Sequence, residues 1–428
     1  MAQESLKQFE IAIIGGGIAG LTLAIGLHYR NVPCTLYERA SNFHEIGAGV
    51  SFSPNAVQAM QVCHQGVHDA FEKVCTRNGW PSKQKVWFDF VDGTAEDENG
   101  SFEIETSLGQ NGVHRARFLD ELTKLLPSEK VQFGKQIENV SEDSEGQMAM
   151  TFADGTTASA DAVVGCDGIR SSVRRMIVGA SHPSAHPTYS HKYAYRGLVP
   201  MDKAIEAVGE ERAQNACMHM GPDGHVLTFP VNHGEKLNIV AFRTTSEEWD
   251  GERLTKSAHR REALADFAGY NSRVLRLLEL TEEELSIWAI FDLGDHPVPT
   301  FYQGRISIAG DAAHATSPHH GAGAGFCIED SAVMSELLAD NSVQNRQDLE
   351  AVFAAYDKSR RERCQWLVQS SRRIGDCYEW RASGVGRDFE KIESEIQERM
   401  GIISNLDLSL TIQEAKQDLK TRLNPATM

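Results

Sequence analysis

Apolar residues come in short runs near the start of the chain, and their order defines an element plan. Residues 11–14 form a four-residue apolar run, three glycines follow, and residues 21–27 carry an apolar helical stretch. A polar break at Arg30-Asn31 precedes a second short run over 34–37. Strand, turn, helix, strand is one βαβ unit. Further along, the helical pattern resumes at Asn55, and the alternation over 85–93 predicts a strand ending in an Asp-Gly turn. An amphipathic helix is expected from Arg115, burying Phe118, Leu119, Leu122, Leu125 and Leu126, with Arg115 and Arg117 on different faces. Residues 148–152 and 157–159 read as a strand pair around an Ala-Asp-Gly turn, and a buried strand then leads to Cys166-Asp167-Gly168 and a basic helix.

Between residues 180 and 300 the period changes to two. Runs at 192–201, 216–220, 226–231 and 237–243, separated by Asp-Gly and His-Gly turns, predict an antiparallel sheet inserted between parts of the nucleotide-type domain and walling a pocket. Leu264, Leu275, Leu277 and Leu278 mark a helical stretch after it. A buried strand over 305–309 ends at Gly310-Asp311, and Gly321 to Ala324 open a helix carrying Ile328, Val333, Leu337 and Leu338. The tail from 350 is helical and charged, with Arg360, Arg361 and Arg363 expected at the surface.

Composition narrows the classes. A chain of 428 residues is two or three domain-sized units, and 41% hydrophobic with 24% charged residues is globular. A net charge of −18 argues against nucleic acid or an anionic membrane as partner. Eight cysteines without a C-x-x-C read as reduced intracellular thiols, which with a polar N-terminus points to the cytoplasm. Residues 11–27 are uncharged, but the glycine turn divides them into two short elements, so no membrane span is expected.

The chemistry concentrates at strand ends. Gly15, Gly17 and Gly20 form G-x-G-x-x-G between strand and helix, and Glu38 follows 18 residues after Gly20. In that context the glycines allow a tight turn, approach of a pyrophosphate and close helix packing, the helix N-terminus attracts phosphate, and Glu38 can accept from ribose hydroxyls. Gly47 and Gly49 let the backbone approach something flat or bulky. One of Arg115 and Arg117 can clamp a phosphate or ribose, or both are a solvated helix end. Asp167-Gly168 falls at the carboxyl edge of the parallel sheet, where such sheets bind ligands, or is a plain turn, and Gly310-Asp311 ends a strand where an aspartate can hold a ribityl hydroxyl. His314, His319 and His320 have no carboxylate or cysteine at ligand spacing, so no metal is expected. On the strand HKYAYRGLVPM, Ala194, Arg196 and Leu198 share one face and Tyr193, Tyr195 and Val199 the other. A guanidinium among small and apolar groups either snorkels to an edge or serves a buried anion.

Three separated motifs, GGGIAG with Glu38-Arg39, GCDGIRSSVR, and RISIAGDAAHATSPHHGAGAGFCIED, resemble those of class A flavoprotein monooxygenases. The likeness runs over residues 9–375 and is nearest to the salicylate hydroxylase-like enzymes, in particular fungal phenol hydroxylases of polyketide pathways, including those that dearomatise oxidatively. It implies an α/β fold: a glutathione-reductase-type, Rossmann-like FAD-binding domain in three parts (1–80, 113–180, 299–345), interleaved with an antiparallel-sheet substrate domain (81–112, 181–298) and followed by a helical region (346–428). It implies FAD held by the three fingerprint glycines, Glu38 and Arg39 at the adenosine end, Gly49, Val50, Arg115 at the ribityl or phosphate region, Asp167 and Gly168, Gly310, Asp311 at the ribityl chain, and Pro318, Gly321, Gly323 and Ala324 by the flavin ring. NAD(P)H is then a co-substrate that binds transiently, since one dinucleotide fingerprint is present, and Asp167-Gly168 would serve it too. O2 is activated as the flavin C4a-hydroperoxide, and a phenolic substrate receives the oxygen. Arg196 would stabilise the phenolate, and where some relatives carry a tyrosine this chain offers Phe229. The resemblance is compatible with a homodimer. Ala322 and Gly325 depart from the GQGAN stretch of many salicylate-type enzymes, which separates FAD binding from the choice of salicylate. Three other readings are a decarboxylating salicylate hydroxylase, an isoprenoid epoxidase with an all-apolar pocket, and a flavin-free binding module like the GDP-dissociation inhibitors.

Overall fold

The computed structural model describes residues 7–43, 49–97, 101–251 and 253–424. Gly47 of the expected glycine pair lies outside them. A six-stranded sheet runs in the order 302–303, 306–308, 162–165, 11–14, 34–38, 131–133, parallel apart from its 302–303 edge. Ile11–Ile14 is buried at every position, as a central parallel strand covered on both faces must be. The helix Ile18–His28 packs on Gly323–Leu338, and their contact is close because Gly26 faces Ser335 and Thr22 Oγ1 donates to Ser331 Oγ at 2.9 Å.

An eight-stranded sheet stands against this layer, in the order 255–259, 284–292, 188–200, 236–244, 224–231, 217–221, 86–92, 102–105. The period-two reading of this region identifies its central strands. One pairing differs from expectation: Cys217–Gly221 runs parallel to Val86–Asp92, because the latter enters from far upstream and not from a hairpin. The expected face assignment holds along Thr188–Pro200. Tyr195 and Val199 enter the core beneath the helices of residues 260–279, and the Tyr193 and Tyr195 hydroxyls both donate to Asp266 at 2.7 Å.

Leu349–Tyr378 is one helix of 30 residues, followed by Phe389–Ser404 and Leu408–Leu423. The expectation that Arg360 is exposed is wrong. Its side chain is fully buried, with Nε donating to Asp330 at 2.8 Å and Nη2 2.6 Å from Glu329. Arg363 reaches the same Glu329 and is largely covered, while Arg361 stays half-exposed against Asp357. The long helix is laid across the helix Gly323–Leu338, so the face that carries Arg360 looks inward. Three side chains also meet that the sequence keeps apart: His314, Asp330 and Cys364 lie together, fully buried. His314 Nε2 is 2.6 Å from Asp330 and Arg360 takes that carboxylate's other oxygen, so the cluster is already neutralised by cations. Among the described residues no helix is long and apolar enough to cross a membrane.

Candidate active site

The glycine turn after the first strand is fixed by contacts that leave no room for a side chain. Gly15 has φ +106°, and a Cβ there would lie 2.4 Å from the Cys166 carbonyl oxygen; one at Gly20 would lie 1.9 Å from the Gly15 carbonyl. Gly17 differs. A Cβ there would meet only Arg115 Nη2, at 3.9 Å, so the helix N-terminus opens onto empty space. No side chain caps that helix, leaving its first N–H groups turned to the cleft.

A cavity of about 400 Å3 runs from this turn past Gly15, Glu38, Arg39, Arg115, Asp167 and Gly168. It continues at Gly17, Arg115, Cys166 and Gly168 into a second of about 380 Å3. Gly49, Val50, Asp311, Pro318, Gly321, Gly323 and Ala324 form one side of the second cavity. Every residue expected at the cofactor lines this bent cleft except Gly20 and Gly310, which shape it from behind. Gly310, at φ +62°, packs against Ala19 and Cys327 and gives its N–H to Asp330.

Two acids occupy the cleft differently from their sequence reading. Glu38 already accepts from the Gly16 N–H at 2.6 Å and the Ala40 N–H at 2.7 Å, so a ribose would bind lone pairs of a carboxylate pinned by the turn. Asp167 directs its carboxylate to the start of the helix Ser172–Val178, accepting from Ser172 N at 2.7 Å, and presents mainly backbone to the cleft. Burial pushes the Asp167 carboxyl up, against the pull of those donors.

The opposite wall of the second cavity is the inserted sheet. The register Arg196↔Val240↔Leu227 places these three on one face, with Phe229 two residues beyond Leu227. Arg196 lies over the Trp288 ring, 4.5 Å from its centre, and its Nε has no hydrogen-bond partner among the described residues. Burial, with Arg115 adding repulsion, lowers the guanidinium to about 10, still cationic at neutral pH. Phe229 is buried against the backbone at Gly49 and Gly112, where an added Cβ would come within 2.7 Å of its ring. It is a wall, and offers no hydrogen bond.

A long cleft with bare backbone N–H groups at a dinucleotide turn and an arginine at its bend fits FAD, with the flavin end beside the sheet. The family described as "FAD binding domain" matches residues 8–371. The chain belongs to the FAD-dependent class A monooxygenases, salicylate hydroxylase-like. It is 46% identical to the FAD-dependent monooxygenase pigN of Monascus ruber, over 97% of this chain and 98% of that one. It is 42% identical to 6-methylsalicylate 1-monooxygenase atA of Aspergillus terreus, over 89% and 88%. A solved salicylate hydroxylase substrate complex superposes with a TM-score of 0.85 at 35% identity, covering 96% of this chain and 98% of that one. The protein is thus an FAD-dependent aromatic monooxygenase of a family that uses NAD(P)H. Sequence reasoning missed Trp288 as the platform under Arg196; its place two strand positions from Ile290 on the neighbouring strand becomes visible only through the register.

Replacing Arg115 or Asp311 by alanine is expected to weaken FAD binding at least tenfold and so leave the purified protein short of flavin, as loss of a charge-assisted contact worth about 1.5–3 kcal/mol implies. The ratio of flavin to protein absorbance after purification checks it, and full occupancy in both variants would reject their placement.

Proposed function

We propose that this monooxygenase hydroxylates an electron-rich phenol of the fungal aromatic polyketide type, at a ring carbon ortho or para to the phenolic oxygen. The observation that carries the reading is Arg196, a cation on an otherwise apolar cavity wall with Trp288 beneath it. Bound FAD supplies electron transfer from NAD(P)H and activation of O2.

The chain's own residues do the rest. Arg196 pairs with the phenolic oxygen and lowers its pKa, favouring the nucleophilic phenolate. Met218, Leu227, Val240 and Phe242 exclude water around the ring. Phe229 gives no second anchor, so the phenol is held at one polar point and its orientation is set by shape. That arrangement supports oxygen delivery at a carbon already bearing a substituent, which yields a dearomatised dienone.

A screen of phenols for stimulated NAD(P)H oxidation, with product mass analysis, tests the reading. A product heavier by one oxygen, without loss of carbon dioxide, is expected. Release of carbon dioxide from salicylates alone would replace it with decarboxylating hydroxylation.

A further inference from the structure

Behind the substrate wall lies a third cavity, of about 220 Å3, bordered by Tyr189, Lys192, Ser317, Arg372 and Asp376. It reaches solvent, for the side chains of His191, Asp295 and Asp376 on its rim are 45, 47 and 41% exposed. His319 lines both this lateral cavity and the substrate cavity. Its ring is the partition between them.

Neither nitrogen of His319 has a hydrogen-bond partner among the described residues, although the residue is only 2% exposed. Buried polar atoms are ordinarily paired, so a histidine left bare on both sides points to partners arriving from the two cavities. The ring is fixed without them. It meets Phe242 and His225 edge-on, with centres 5.0 and 5.2 Å away, and rests on Gly375, where an added Cβ would come within 2.4 Å. Behind it Lys192 pairs with Glu379 and, at 3.0 Å, with Asp376, while His225 Nδ1 is 3.2 Å from Glu379. Burial, with His225 and Lys192 beside it, holds His319 well below the usual imidazole range. A neutral ring carries one N–H and one lone pair, the state that can accept on one side and donate on the other.

We propose that His319 is a proton gate: one ring nitrogen takes the substrate's phenolic proton and the other releases a proton to water in the lateral cavity. The inference rests on the phenol-hydroxylation reading. The phenol O–H bond breaks with its electron pair left on oxygen, and an N–H bond forms on the imidazole. As that bond forms, the opposite N–H proton passes to water, which carries it out past Asp376 and Asp295, so the buried ring changes tautomer without resting as an imidazolium. Arg196 keeps the phenolate, and return of a proton along the same path restores the original tautomer.

The test mixes oxidised holoenzyme with 4-nitrophenol in weak buffer, following phenolate absorbance and, with a pH indicator, proton release. In the wild type both should rise together. His319→Gln should keep its flavin yet slow both at least tenfold, and His319→Ala should be restored by added imidazole, which the lateral cavity is large enough to admit. The charged and titratable groups facing the ring are His225, Lys192 and Glu379, His320 on its own turn, and Arg372 and Asp376 on the long helix. Burial lowers His225, and takes His320 to about 3, so an acid limb that vanishes in His319→Gln belongs to His319. A His319→Gln as fast as wild type, or a slow His319→Ala that imidazole leaves slow, overturns the gate. A wild-type enzyme that ionises no phenol overturns the phenol reading and the gate with it.

Discussion

Arg196→Ala is expected to retain FAD and continue to oxidise NAD(P)H, but to discharge the reducing equivalents as hydrogen peroxide instead of hydroxylated product. The guanidinium sits beyond the glycine turn and the phosphate end of the cleft, so cofactor binding does not depend on it. What disappears is the cation proposed to favour the phenolate. Truncating one partner of a desolvated charge pair costs roughly 2–5 kcal/mol. On the rate that is about thirtyfold to several thousandfold in product formation. Arg196→Lys should fall between, since an ammonium keeps the charge but neither the planar fork nor the same stacking on Trp288. The ratio of product formed to NAD(P)H consumed is the measurement. Coupling near wild type in Arg196→Ala would remove the residue from the mechanism.

Arg360→Met is expected to destabilise the protein by about 3–5 kcal/mol, because it strands two buried carboxylates without their shared cation. Burial opposes ionisation of Glu329 and Asp330, yet Arg360, joined by Arg363 at Glu329 and by His314 at Asp330, holds both below the usual carboxylate range. Burial also opposes a charged His314, but Cys364 and Asp330 outweigh it and hold that imidazole well above its usual value. The signs fix the pH window. The depressed carboxylates contribute above their unfolded pKa values and lose that contribution as pH falls through the folded ones; the raised His314 contributes fully below its unfolded pKa and loses that as pH rises from there through its folded one. Wild-type stability from this cluster should therefore be whole only from about pH 5 to about pH 6, and decline above that as histidine in the unfolded chain deprotonates while His314 stays charged. Denaturant unfolding of both proteins at pH 3 and pH 6 checks it. A difference that does not shrink towards acid pH would mean that the carboxylates are not the source.

The parts of the fold that could be read beforehand are those in which position along the chain reports environment directly. Ile11–Ile14 is apolar at every position because both faces are covered, and Thr188–Pro200 alternates because one face looks at helices and the other at the cavity. The cleft was legible for a similar reason. Gly15, Gly17, Glu38 and Asp311 are local to strand ends, where the chain's own turn makes the site. Arg360 was not, since a charged residue every few positions on a helix looks solvated until the partner 30 residues upstream is seen to face it. His319 and its neighbours were illegible for the same cause. His225, Glu379 and Lys192 come from two strands and the end of a helix, and no spacing along the chain anticipates their meeting.

The helix Leu349–Tyr378 spans about 45 Å at 1.5 Å per residue, and it is fastened at two places along its length. Near its middle Arg360 is tied to Glu329 and Asp330 behind the flavin sheet. At its far end the Tyr378 ring packs on Phe90 of the inserted sheet, and just beyond it Glu379 takes Lys192 of that sheet and accepts the Asp223 N–H through its carbonyl. It is a splint, and it sets the gap between the two layers that wall the cleft. Transplanting a foreign substrate sheet without this helix would leave the gap unset, so the two behave as one heritable part when new substrate preferences are engineered.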